Sequence, residues 1–559
     1  MGHQSFWWVL LIGASVASAS ADTLFTNGVI YTLDEQSSTV SRLCVSNSGR
    51  LKSLEACEPI QKIDLSGQVV IPGFVEGHGH LMGYGEAQLN LNLATAKNLG
   101  ELVAQVAEAV DKAEPGEWIL GRGWHQSKWN ETPKMVDGFQ TNETLNGISP
   151  DNPVYLKHAS GHAAFVNDRA LAIAGIDGKT QVAGDGEIIR DPSGRATGVL
   201  NERAQNLVSR FVPALSRSQR ERALDLALEG LARVGITSFQ DAGASQDDIR
   251  LYQAFLNEDR LTTRVYAMIT GGDSDMLADW MQRGPLIGAG DDKLTVRSIK
   301  LVADGALGSR GAWLLEPYSD RAGHSGLPTM PVAEMSALSH LADRNGFQVA
   351  IHAIGDRANR EVLDIFDALF DGRDRGVRFR VEHAQHLHPE DIPRFGQLGV
   401  IPSMQGIHMS SDRPWAIDRL GAERIASGAY MWKSLIESGA VLVNGTDVPV
   451  EPVNPFASYY ALVTRMTLAG YPEGGFEPSE RLNRETALKT YTINPAFGAF
   501  EEALKGSLEP GKVADFIVLD RDLMTVAPAD IADTKVLMTV MNGAMIYKAD
   551  SAMFQPEAA

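Results

Sequence analysis

Basic runs are missing from this chain. Asp and Glu total 70 against 50 Lys and Arg, for a net charge of −20. A nucleic-acid backbone is held by clustered positive charge, so nucleic acid is not an expected partner. Long apolar runs are missing too: after the N-terminus none approaches the ~20 residues of a membrane span. Cysteine is nearly absent, with only Cys44 and Cys57 among 559 residues. They flank RLCVSNSGRLKSLEAC, where a hairpin about Ser48-Gly49 would set Cys44 near Ser53. Pairing the two sulfurs therefore needs a bend after Leu54, and paired and free forms both stay open.

The N-terminus reads as a leader. FWWVLLIGASVASASAD has an apolar core followed by small residues, with Ala17-Ser18-Ala19 and Ala19-Ser20-Ala21 both fitting a cleavage site. No Lys or Arg precedes the apolar core, and no Cys follows it to carry a lipid. Residues 1–21 are thus expected to be a signal peptide, and the mature protein periplasmic or secreted.

The two chain ends share a style. TLFTNGVIYTLD turns at Asn27-Gly28 and VLMTVMNGAMIYKAD at Asn542-Gly543, both with the chemistry of type I′ hairpins. KVADFIVLD adds another strand near the second. Neither end is long enough for its own core, so residues 22–70 and 503–559 are expected to build one β-sandwich.

Between them, residues 71–502 alternate apolar strands with helical segments such as SRSQRERALDLALEGLARVG. Eight candidate strands are VVIPGFVEGHGH, GITSFQDAG, TRVYAMIT, VRSIKLVADG, FQVAIHAIGD, FRVEHAQ, GVIPSMQG and VLVNGTD. Eight β-α repeats predict an α/β fold, a (β/α)8 TIM barrel. Residues 84–230 separate the first two strands and include PVYLKHASGH, which predicts an inserted lid or subdomain.

Polar residues gather at the C-terminal ends of these strands, where a barrel places its chemistry. The first ends in His78-Gly79-His80; the fourth holds Lys300, the fifth His352, the sixth His383 and the eighth Asp447. Four imidazoles and a carboxylate suit Zn2+ or a similar divalent ion. Lys300 sits in a buried strand on the face of Ser298, Val302 and Asp304, where an unpaired ammonium is costly. Reaction with CO2 would turn it into a carbamate able to bridge two metals. The plainer alternatives are pairing with Asp304 or snorkelling to solvent.

This order of residues resembles the amidohydrolase superfamily. IPGFVEGHGHL, SIKLVADGALGSR, VAIHAIGDRA, RVEHAQHLHPED, SMQGIHMSSDRPWA and GTDVPVEPVNPF resemble its YtcJ-like branch, amidohydrolase family 3, as do GHAAFVN and ATGVL in the insertion. The resemblance implies a metal-dependent hydrolase acting on a small molecule, with one or two divalent ions. It assigns His78, His80 and Asp447 to one ion and His352 and His383 to the other, with carbamylated Lys300 between them. It also implies water activated by metal, with Asp447 as general base and then acid.

Asp304, Gln405, His408 and the insertion's His162 are candidate substrate contacts, each with loop stabilisation as the alternative. Glu76 and Glu382 are read as structural residues pointing away from the lumen, and nothing in the spacing of His386 and His388 demands coordination. Two departures from the branch alter the pocket: His125 follows Gly-Trp where an acid is common, and Val448 replaces a Trp beside Asp447. The expected reaction is cleavage of an amide-type C–N bond in an N-acyl or N-formyl compound. Hydrolysis of cyclic amides or esters, and a non-catalytic exported metal-binding protein, are the alternatives.

Overall fold

The computed structural model describes residues 22–182, 186–372, 376–550 and 555–556. The expected leader, residues 1–21, lies outside the described residues. Eight parallel strands form the central barrel: β1 (Phe74–Gly79), β2 (Ile236–Ala244), β3 (Arg264–Thr270), β4 (Leu294–Val302), β5 (Gln348–Ala353), β6 (Arg380–His383), β7 (Ile401–Met404) and β8 (Val443–Asn444). Successive strands pair in chain order. They are rich in Val, Ile and Ala because a barrel buries both faces of its strands. β8 is only two residues long, so the segment after it completes the closure. There the Asp447 N–H donates to the His78 carbonyl at 2.8 Å, and Glu76 accepts the Thr446 N–H and hydroxyl.

The first predicted strand divides at Gly73. Val69–Pro72 lies in a separate six-stranded sheet, parallel to Val29–Tyr31 and antiparallel to Phe516–Leu519, and only Phe74–Gly79 enters the barrel. A Cβ at position 73 would overlap the Thr237 side chain, so the junction needs glycine. An apolar run that is buried throughout carries no mark of passing from one sheet to another.

The first predicted hairpin does not form. Asp22–Thr26 joins a five-stranded sheet with Leu43–Val45 and Pro59–Asp64, while Val29–Tyr31 joins the six-stranded one. Asn27 keeps the left-handed backbone (φ 54°) at a corner between sheets instead of a hairpin turn. Burial decides this, because Phe25 and Ile30 enter one core with Val70, Phe516, Val518 and Met538. That shared core makes the two chain ends a single β-sandwich. The second hairpin forms as expected, Val536–Met541 with Ala544–Lys548, and Asn542 and Gly543 both have positive φ.

Cys44 and Cys57 are bonded, with Cα atoms 6.0 Å apart. A single 3-10 turn at Leu54–Ala56 supplies the bend. Cys44 stands opposite Lys52, one residue from the expected Ser53.

The insertion forms a six-stranded sheet, from Leu91–Asn92 to Ala196–Glu202, with apolar clusters of its own. The helix α1 (Leu81–Leu89) and the later α2 (Arg217–Arg233) flank it and belong to the barrel's outer layer. They cross so closely that a Cβ at Gly85 would overlap the Ala223 carbonyl. α2 buries Ala223, Leu224, Ala227, Leu228 and Leu231, the stripe expected of an amphipathic helix. Among the described residues no helix is long and apolar enough to cross a membrane.

Candidate metal centre

The strand ends bring the predicted ligands together. His80 Nε2 lies 3.2 Å and His78 Nε2 3.6 Å from Asp447 Oδ1. The His383 ring is 4.7 Å from that of His78 and 4.5 Å from that of His352. Ligand atoms of His78, His80 and Asp447 lie within 4.8 Å of one another, as do those of His383, His408 and Asp447. Backbone geometry at two of these residues is unusual: His383 and Asp447 have φ of 76° and 58°. Non-glycine residues held there cost about 1–3 kcal/mol each, and such strain gathers at working sites.

The donors fit a divalent ion. His78 Nε2, His352 Nε2, His408 Nε2 and Asp447 Oδ1 are buried without a hydrogen-bond partner, a costly state that coordination would relieve. Burial holds the imidazoles of His78, His352 and His383 below their usual pKa range, keeping them neutral as ligation requires. Burial opposes charge on Asp447, but His80 close beside it and the other nearby imidazoles outweigh it and hold the carboxyl well below the usual range.

Supporting contacts choose which ring nitrogen is free. His383 Nδ1 donates to Gln405 Oε1 at 2.8 Å, leaving Nε2 as the lone pair. His78 Nδ1 is 2.5 Å from Glu382 Oε2. Hence Glu382, read from alternation as pointing away from the lumen, lies beneath His78 inside the barrel. The positive φ of His383 ends the strand's alternation there and turns this imidazole toward the site while Glu382 keeps facing inward. Glu382 also pairs with Arg380, which reaches Gly77 O and Ser403 Oγ; both charged residues are fully buried. Two adjacent polar residues ending one strand were the signal that alternation alone passed over. Glu76 keeps its structural reading, since it ties β1 to the segment carrying Asp447.

Lys300 lines the cavity, and among the described residues no hydrogen bond or ion pair reaches its ammonium. Burial lowers its pKa, while Glu382 and Asp447 oppose the shift. The alternative pairing with Asp304 does not occur. Asp304 instead accepts backbone N–H groups from Trp313, Ile354 and Gly355 at 2.8–2.9 Å, and burial pushes it up to about 7. Its other neighbour is His352 Nε2 at 3.4 Å, so it braces loops and a ligand behind the cavity wall. Gln405 likewise faces His383, not the cavity.

His162 and His408 do line the cavity, which has a volume of about 240 Å3. His162, from the insertion, reaches over the mouth with its ring 6.2 Å from that of His352. His408, expected as a substrate contact, opens α3 (Gly406–Gly428), with Nε2 3.9 Å from Asp447 Oδ2, so it faces the cavity beside the candidate donors. The outer wall includes His125, Trp415, Val450 and the Lys128–Glu451 ion pair. His125 is neutral, pushed down to about 3 by burial and neighbouring cations. His386 is buried outside the cavity, and His388 accepts the N–H of Glu390.

Known proteins resemble this chain over nearly its full length. Residues 61–547 match the family model described as amidohydrolase family. Protein LONG AFTER FAR-RED 3 of Arabidopsis thaliana is 33% identical, covering 98% of this chain and 95% of its own. Putative amidohydrolase YtcJ of Bacillus subtilis is 31% identical, over 94% and 99%. An N-substituted formamide deformylase of Arthrobacter pascens is 27% identical, over 94% and 98%. Among solved structures, an uncharacterized metal-dependent hydrolase of Pyrococcus horikoshii superposes with a TM-score of 0.72 at 29% identity, over 91% and 99%. Barrel, strand-end His and Asp residues and near full-length similarity converge: this chain belongs to the amidohydrolase family, in the family 3 branch.

Proposed function

We propose that the protein hydrolyses an amide-type C–N bond in a small molecule, an N-acyl or N-formyl compound, with one or two divalent ions, zinc favoured. Three orphaned imidazole nitrogens, of His78, His352 and His408, and one Asp447 oxygen, gathered at one end of the barrel, carry this reading. The name of the Arthrobacter relative, a deformylase of N-substituted formamides, supports the bond type. His78, His80 and Asp447 would hold one ion and His352 and His383 the other. When bound, such ions acidify water and polarise a carbonyl.

The chain's own residues supply the rest. In its neutral form, which burial favours, Lys300 can attack CO2 through Nζ, forming a C–N bond as one C=O π pair moves to oxygen and losing one proton, which would leave a carbamate anion suited to bridge two cations. Asp447, kept ionised, takes a proton from the attacking water on a carboxylate oxygen and delivers it to the leaving nitrogen. The cavity walls, built mainly by the barrel's strand-end loops with His125, Lys128, His158 and His162 added by the insertion, would limit water and select small substrates. Residues 1–21 point to export, and the disulfide suits an oxidising compartment. A mature N-terminus after Ala19 or Ala21 checks this.

Metal content per chain, measured by elemental mass spectrometry for wild type and Lys300→Ala, tests the centre. Near two ions in wild type with a clear loss in the variant is expected; one ion in both removes the bridging role. A panel pairing each amide with its ester isostere tests the bond type, and turnover confined to esters overturns it. Asp447→Asn should lower kcat by at least about 100-fold while retaining substantial metal, as loss of a general acid–base does.

A further inference from the structure

Glu202 joins the insertion to the barrel at one side chain. It ends the strand Ala196–Glu202, and its backbone has φ 46° and ψ −128°, which a non-glycine residue rarely adopts. Its N–H donates to the His162 carbonyl at 2.8 Å. Its side chain serves two partners: Oε2 lies 2.8 Å from His162 Nδ1, and Oε1 accepts from the Ser309 hydroxyl at 3.2 Å. Ser309 belongs to the loop after β4, the strand that carries Lys300 near its C-terminal end. Two glycines of that loop make room for the carboxylate: a Cβ at Gly305 or Gly311 would come within 3.1 or 2.9 Å of Oε1. Strained backbone, a split carboxylate and a glycine cradle therefore all serve the position of one residue.

That residue's partner is His162, whose ring lines the cavity. With Nδ1 engaged by Glu202, Nε2 is the nitrogen left for a bound molecule, beside His352. Resting on the amide-hydrolase reading above, we propose that Glu202 is a positioning residue that orients His162, through Nδ1, so that Nε2 hydrogen-bonds the amide group of the bound substrate. A carboxylate behind an imidazole fixes ring orientation and tautomer, as outer contacts do for histidine ligands. The insertion is then a working wall of the site, locked to the barrel through the residue that aims its histidine.

The test is a double-mutant cycle on the zinc-loaded full chain, read by calorimetric binding of benzohydroxamate and by turnover of 4-nitroacetanilide. Binding is independent of catalysis, so a wild type without turnover on any amide would overturn the hydrolase reading and leave the cycle readable. His162→Ala and Glu202→Ala should each weaken binding by about tenfold, with zinc content unchanged, and the double variant should lose no more than His162→Ala alone. Glu202→Gln, whose amide oxygen still accepts from Nδ1, should stay within about threefold of wild type. Ser309→Ala loosens the same carboxylate without touching the strained residue, and should shift binding in the same direction even where Glu202→Ala misfolds. Losses that multiply in the double variant, or a Glu202→Ala chain that binds like wild type, would overturn the proposal.

Discussion

At the scale of single residues, the proposed ligands were legible as a converging set and their supports were not. His78, His80, Lys300, His352, His383 and Asp447 announce themselves because strand ends in a barrel converge, and spacing along a strand is countable. Gln405, Glu382 and Glu202 act across elements, through contacts that no local pattern encodes. Their importance is nonetheless separable by experiment. Gln405→Ala removes the acceptor behind His383 and should weaken metal binding by about 10–100-fold in a chelator-competition titration, with little change in metal-free stability. Glu382 would be a poorer choice. Its loss strands buried Arg380, at a cost of about 3–5 kcal/mol, so stability and affinity would fall together. Glu76 offers a pH prediction. Burial pushes its pKa up to about 8, so the folded state prefers the protonated form. That preference stabilises fully below the unfolded carboxyl's range and is lost as pH rises toward 8. Thermal melts of wild type should therefore decline between about pH 5 and 8 more steeply than those of Glu76→Gln.

Elements were legible where periodicity meets a single environment. Seven of the eight barrel strands lie where the apolar runs place them, and α2 follows its stripe. The first strand and the first hairpin misled for a common reason: each spans a passage between sheets, and burial on both sides erases the alternation that marks a boundary. Asn-Gly specifies left-handed backbone at Asn27 without specifying which strands meet. Contact between helices is equally silent in the sequence, yet it is strict at Gly85. The methyl of Gly85→Ala would overlap the Ala223 carbonyl, and α1 begins immediately after His80. The variant should lose about 1–3 kcal/mol in chemical denaturation, and zinc affinity should drop with it because the displaced helix adjoins the proposed ligand His80.

For the molecule as a whole, metal and fold should be coupled. The proposed ligands come from strands spread around the barrel and from the seam that closes it, a constellation that unfolding disperses. An ion bound only by the folded chain adds stability with concentration, about 2.7 kcal/mol at a hundredfold excess over Kd. Calorimetry should show the melting temperature falling on chelation and returning with added zinc; an unchanged melt would separate the centre from the fold. The sandwich has a different consequence. Val69–Pro72 lies between Val29–Tyr31 and Phe516–Leu519, so an early strand waits for one of the last. At about 5–20 residues per second, synthesis separates those partners by some tens of seconds. Throughout that interval the nascent chain presents a bare, β-branched strand edge, open to mispairing until the C-terminus emerges.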